Sequence, residues 1–125
     1  MLEKLRFVMV DDEPSLLESM EALLEHAGHN VTCFNDSQLA LDYITQHHDN
    51  IDVLVSDFMM PNMDGKSLTE KVHKIVPSLP IFIMTGYADE HEEEAFLSAG
   101  AVAVFLKPTR ANDILEKTRE ILPCT

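Results

Sequence analysis

Four short stretches carry side chains able to do chemistry: Asp11-Asp12-Glu13, Asp57 within Ser56-Asp57-Phe58-Met59-Met60-Pro61-Asn62-Met63-Asp64-Gly65, Thr85-Gly86, and Lys107-Pro108. Each follows an apolar run, the clearest being Val53-Leu54-Val55 ahead of Asp57. A carboxylate beside a core strand is costly unless something pairs with it. Carboxylates brought together repel, and some hold protons unless a cation joins them. Hard oxygen ligands in small number suit Mg²⁺ (or Mn²⁺), which keeps several waters and shares a phosphate. A lysine among such acids is a counter-charge and a ligand for phosphate oxygens. A threonine hydroxyl beside them can donate to a phosphoryl oxygen. Taken singly, each stretch has a plainer reading: a solvated acidic strand end, a turn threonine, a surface lysine. Taken together they suit phosphoryl transfer, with Asp57 as the nucleophile.

For these residues to meet, the chain must bring its strand ends to one place, and the hydrophobic pattern predicts that it does. Strands are expected at Leu5–Val10, Val31–Phe34, Asp52–Ser56, Pro80–Met84 and Val102–Leu106. Helices are expected at Pro14–Ala27, Asp36 or Ser37 to His47, Lys66–Ile75, Asp89–Ser98 and Arg110–Leu122. The first helix places Leu16, Leu17, Met20, Leu23 and Leu24 on one face, and Gly28 follows where a left-handed residue is wanted. Strict alternation of strand and helix predicts a parallel sheet with helices on both faces, an α/β fold in a single domain over 1–125. In such a sheet ligands bind beyond the carboxyl ends of the strands. The first strand ends in Asp11 and Asp12, the third in Asp57, the fourth in Thr85 and the fifth in Lys107. Lys107-Pro108 is also a candidate for a cis peptide bond.

Charge narrows the partners. With 9 Lys+Arg against 22 Asp+Glu, the formal net charge of −13 argues against direct nucleic-acid binding. No apolar run reaches the roughly 18 residues of a membrane span, so no membrane insertion is expected. Glu3, Asp11 and Asp12 spoil a signal peptide, and the 2 cysteines, Cys33 and Cys124, form no metal spacing. The expected location is the cytoplasm. The 6 histidines form no defensible metal site, and Glu92-Glu93-Glu94 reads as a solvated helix face.

With the acids, Thr85-Gly86 and Lys107-Pro108 in this order, the whole chain resembles a receiver (REC) domain of the two-component response-regulator family. The most specific element is Asp57 to Gly65, DFMMPNMDG. The resemblance implies a flavodoxin-like (βα)5 doubly wound sandwich with strand order 2-1-3-4-5. It implies that Asp57 accepts a phosphoryl group from a phosphohistidine on a sensor histidine kinase or histidine phosphotransfer protein, in a phosphorelay. It further implies that Asp12, Asp57 and the Met59 backbone carbonyl hold Mg²⁺, with Asp11 acting through water. Thr85 and Lys107 would hold the phosphoryl oxygens and switch a surface that binds an unknown output partner. By the same resemblance, Met59 and Tyr87 flank the approach of the water that ends the phosphorylated state.

Two positions depart from the pattern. Three residues before the lysine the family often carries an aromatic switch residue; here that position is Val104, and Phe105 should point to the opposite side of the sheet. Val102-Ala103 lacks the acidic residues that one class of receivers uses for dimer salt bridges. A different class of function, a small phosphoaspartate-type metal-dependent phosphohydrolase, would want a second Asp two residues after the nucleophile. That position is Met59, and the chain leaves no room for a cap insertion. The signalling reading, not a substrate-turning enzyme, is the stronger one.

Overall fold

In a computed structural model that describes residues 4–122, the alternation becomes five strands and five helices. They run β1 (Arg6–Val10), α1 (Pro14–His26), β2 (Asn30–Phe34), α2 (Ser37–His47), β3 (Val53–Asp57), α3 (Gly65–Ile75), β4 (Ile81–Thr85), α4 (Glu90–Ala99), β5 (Ala103–Leu106) and α5 (Ala111–Ile121). A short 3₁₀ turn, His48–Asn50, links α2 to β3 and carries no signal in the hydrophobic pattern. The strands pair in parallel in the order β2-β1-β3-β4-β5, so the flavodoxin-like expectation holds. Expected boundaries shift by a residue, and two of the shifts matter: Asp57 and Thr85 are the last residues of their strands, not the first residues of loops.

The three central strands, β1, β3 and β4, are buried on both faces. On one face Phe7, Met9, Val53, Val55, Phe82 and Met84 pack against Leu17, Met20 and Leu24 of α1 and Ile114 and Leu115 of α5. On the other, Val8, Val10, Leu54 and Ile81 meet Ala40 and Ile44 of α2 and Leu68 and Val72 of α3. Ile83 and Val104 pack with Phe96 of α4 and Phe58. Each fully buried Leu, Phe or Ile among these stabilises the fold by roughly 1.5–3 kcal/mol. Phe105 lies against Phe82 on the α1/α5 face, so Val104 and Phe105 do point to opposite sides. The expected core face of α1 needs one correction: Leu23 is exposed, because at 3.6 residues per turn it falls at the edge of the buried stripe.

Gly28 and Gly100 take φ of 99° and 125°, the positive values that end α1 and α4. Cys33 is a free, half-buried thiol whose pKa burial and nearby Glu21 and Glu25 push up to about 11; Cys124 lies outside the described residues.

One buried polar residue ties the far end of the sheet together. His29 is buried against the edge of the Phe7 ring, and its Nδ1 accepts the Leu5 N–H at 3.0 Å. That bond requires Nδ1 to be unprotonated, and burial, aided by the charge of Arg119, lowers the His29 pKa below 6.5. The unfolded chain therefore takes up a proton near pH 6.5 that the folded chain refuses, and stability falls as pH drops through that value. His29→Gln, which keeps an acceptor but cannot titrate, should cost roughly 0.5–3 kcal/mol above that pH. Below it, denaturant midpoints measured against pH should fall less steeply in the variant than in the parent. Parallel curves would remove His29 as the cause.

Candidate functional site

The carboxyl ends of β1, β3, β4 and β5 form one rim, and the residues singled out by type meet there. Asp11 continues β1, its N–H donating to the Phe34 carbonyl at 3.1 Å, and its carboxylate is fully buried. Asp57 ends β3 with only 4% of its surface exposed. Lys107 follows β5, its N–H bonded to the Thr85 carbonyl at 2.8 Å, and the Lys107–Pro108 peptide is cis. Its Nζ reaches back across the rim to Asp11 Oδ2 at 3.0 Å and Asp57 Oδ1 at 3.2 Å. One ammonium thus bridges two buried carboxylates from separate strands.

Asp12 is exposed at the mouth of this cluster. One carboxylate oxygen each from Asp11, Asp12 and Asp57 lies within 4.8 Å of the others. Three carboxylates at that spacing face a single lysine, leaving an excess of negative charge. Burial raises the pKa of Asp57, and the Asp11 charge raises it further; Lys107 opposes this, while Asp12 adds to it. For Lys107, burial works against the charged form, yet its bonds to Asp11 and Asp57 outweigh that and raise its pKa overall. The charged form of Lys107 is thus favoured, while the charged form of Asp57 is disfavoured in a way that a second cation would relieve. The donor set is all oxygen and anionic, which fits a hard divalent ion.

The loop after Asp57 is held from several sides. The Phe58 N–H donates to Met84 and the Gly65 N–H to Phe58, both at 2.9 Å, and Asn62 takes a left-handed φ of 70°. Asp64 caps α3 by accepting the Ser67 N–H at 2.8 Å. A Cβ at Gly65 would run into the Asp57 carbonyl oxygen and sit 2.9 Å from Phe58 Cα, so only glycine lets α3 start this close to β3. Ser37, at the start of α2, donates to the Met63 carbonyl at 2.7 Å. Sequence reasoning marks Ser37 only as a candidate start of the helix and misses this contact, which nothing in its surroundings signals; the Asp64-Gly65 pair ahead of a helix was a readable signal for a cap.

Met60 and Met63 pack under the loop against the α2/α3 cluster. Met59 does not pack there. It is 68% exposed and lines a cleft of about 470 Å³ with Asp12, Met60, Pro61 and Asp64. Met59 and Asp12 therefore border the same opening.

Thr85 is buried, and its hydroxyl donates to the Tyr87 carbonyl at 2.9 Å instead of to the acids, while the Tyr87 N–H donates to the Thr85 Oγ1 at 3.4 Å. Tyr87 itself is exposed. Val104 sits on the α4 side of the sheet, next to Ile83 and Phe96. The rim therefore gathers Asp11, Asp12, Asp57 and Lys107 directly. Thr85 lies beside it with its hydroxyl committed elsewhere.

Known proteins resemble this chain in sequence and fold. The family described as the response regulator receiver domain matches residues 7–119. Response regulator MprA of Mycobacterium avium (strain 104) is 33% identical over 118 residues, which is 94% of this chain and 51% of that protein. Two-component response regulator ARR12 of Arabidopsis thaliana is 32% identical over 110 residues, 88% of this chain and 18% of that protein. The chain thus spans about half the length of the first and under a fifth of the second. Among solved structures, a CheY-like response regulator receiver domain protein from Methanospirillum hungatei JF-1 superposes with a TM-score of 0.85 at 32% identity, covering 94% of this chain and 93% of that one. A response regulator receiver domain protein from Clostridium thermocellum does so at 0.87 and 28%, covering 93% and 92%. Among the described residues no helix is long and apolar enough to cross a membrane. A rim of acids and one bridging lysine on a 2-1-3-4-5 sheet, with a family match over nearly the whole chain, makes this protein a member of the response regulator receiver domain family of two-component signalling.

Proposed function

We propose that Asp57 is the phosphoacceptor of this receiver, and that one observation carries the assignment: it is the buried carboxylate at the carboxyl end of β3 that Lys107 holds, with one of its oxygens within 4.8 Å of oxygens of Asp11 and Asp12. An Asp57 oxygen attacks the phosphorus of a phosphohistidine on a histidine kinase or phosphotransfer protein. The new P–O bond forms as the P–N bond breaks, and the imidazole leaves. Lys107 neutralises phosphoryl oxygens as their charge shifts. Asp12, Asp57 and the Met59 carbonyl would hold Mg²⁺ or Mn²⁺, with Asp11 behind them through water; the ion supplies charge neutralisation across the transferred group. Over the whole of residues 1–125 we read one domain, working inside the cytoplasm. A phosphohydrolase is not favoured, since Met59 offers no acid or base where that class needs one.

The first expected outcome is a phosphoryl adduct on the intact protein after treatment with a small acyl phosphate and Mg²⁺, lost with chelator and absent in Asp57→Ala. An adduct that survives Asp57→Ala moves the acceptor elsewhere. In the same assay Asp12→Ala should weaken Mg²⁺ binding directly, whereas Lys107→Ala should leave an adduct that no longer activates.

The second concerns the switch. For the Thr85 hydroxyl to reach a phosphoryl oxygen it must leave the Tyr87 carbonyl, which frees the loop from Gly86 to Asp89. Val104 is small and follows little, so the change should travel through that loop into α4 and β5, biasing two populations of an output surface on α4, β5 and α5. Backbone amide shifts on adding beryllofluoride should concentrate there; shifts confined to the Asp57 loop would refute propagation.

The third is the lifetime of the phosphorylated state. Neither Met59 nor Tyr87 offers a carboxylate or amide to orient an attacking water. Such side-chain help is commonly worth ~10²–10⁴-fold. Met59→Asn combined with Tyr87→Glu should therefore decay faster than the parent, read as loss of the adduct over time. Equal decay rates would show that these positions do not control the lifetime.

A further inference from the structure

The segment from Gly86 to Leu106 contains five acids, Asp89, Glu90, Glu92, Glu93 and Glu94, and no lysine or arginine. It also holds four of the eight large apolar side chains exposed among the described residues: Tyr87 at 69%, Leu97 at 44%, Val102 at 47% and Leu106 at 60%. Half of the exposed apolar bulk thus lies on one connection, from the end of β4 through α4 to the end of β5. Part of the acidity has a local reason, since Glu90, Glu92 and Glu93 occupy the positive end of α4 and Asp89 caps it by accepting the Glu92 N–H at 2.8 Å. That reason does not extend to Glu94, which lies past the first turn. It also does not explain why Leu97 shares a shallow groove of about 220 Å³ with Glu90, Glu93 and Glu94. None of the five acids makes an ion pair among the described residues.

We infer that the exposed apolar side chains of the stretch from the end of β4 through α4 to the end of β5 dock a basic segment of a partner protein, whose apolar side chains seat on Tyr87, Leu97, Val102 and Leu106 while its lysines or arginines pair with the acids of α4. This rests on the output-surface reading above and adds the chemistry of the partner. Charge selects the occupant. A second copy related by a two-fold axis would set the same five acids against themselves. A nucleic acid or an anionic bilayer is repelled by the same charges. A cationic, apolar segment is steered in by the field of a chain with net charge −13 and then buries the leucines and the tyrosine. The face is wired to the rim: β5 pairs Leu106 with Thr85, and the Thr85 hydroxyl bonds to Tyr87. A partner that prefers one position of Tyr87 therefore shifts the state of Thr85, and by linkage the state of Thr85 shifts its affinity.

The test titrates isotope-labelled, unphosphorylated protein with an amphipathic helical peptide of leucine and lysine, beside a leucine/glutamate peptide and a serine/lysine peptide. The leucine/lysine peptide should bind most tightly and move the amides of Tyr87, Leu97, Val102 and Leu106, more weakly as salt rises. Glu93→Lys with Glu94→Lys should weaken it by about tenfold, the scale of losing charge pairs at an interface. Glu18→Lys with Glu25→Lys, on α1, makes the same change in net charge and should leave affinity nearly unchanged. Equal weakening by the two pairs reduces the contact to bulk charge and overturns the proposal, as does equal binding of the leucine/glutamate peptide or amide shifts spread over the whole surface. Sedimentation showing a dimer that Leu106→Ser abolishes would give the face to a second copy, and also overturn it. Because no phosphoryl group is needed, failure here leaves the Asp57 assignment standing, and failure of that assignment leaves this result readable.

Discussion

The structure turns on one lysine bridging two buried carboxylates. Lys107 arrives from β5 and closes on Asp11 from β1 and Asp57 from β3. Removing a single member of such a cluster is more disruptive than its net worth suggests, because the remaining charges are left desolvated and unmatched. The cluster is also unbalanced, since Asp12 stands at its mouth and brings a third negative charge. A fold that buries two acids and supplies one ammonium has built in a deficit of positive charge at a place open to solvent. That deficit suits the rim to a cation, where a structural ion pair would be balanced.

Sheet order is what allows the bridge. With β1 and β3 adjacent at the centre, Asp11 and Asp57 sit side by side at the ends of neighbouring strands, and β4 lies between β3 and β5. Thr85 ends that intervening strand and is paired to Leu106, the residue before the lysine. The lysine therefore reaches over the end of β4, and any displacement of Thr85 is felt on both sides of the bridge.

Much of this was legible in the sequence because strand ends can be read from where an apolar run stops. Asp11, Asp57, Thr85 and Lys107 all sit at such stops, and parallel β/α alternation dictates that stops converge. The opposed directions of Val104 and Phe105 follow from the two-residue period of a strand. What was not legible depends on side chains meeting across long separations. Ser37 on the Met63 carbonyl, the hydroxyl of Thr85 turned toward Tyr87, and Met59 left outside its own loop are decided by packing between elements. Leu23 shows the limit of periodicity itself: a helical pattern gives the centre of the buried stripe better than its edges.

Gly65 gives the rim a stiff side and a compliant one. The Asp57 carbonyl is backed by the start of α3 with no space for even one more carbon, and the Ser56 hydroxyl bonds to the same carbonyl at 2.9 Å. Backbone recoil behind Asp57 is therefore blocked, much as an anvil does not yield behind the work. Across the rim, the loop after Thr85 is tied by the hydroxyl contacts of one side chain. The backbone is thus backed behind Asp57 and more lightly tied beyond Thr85, so a displacement at the rim has more freedom along β4 toward α4 than back into α3.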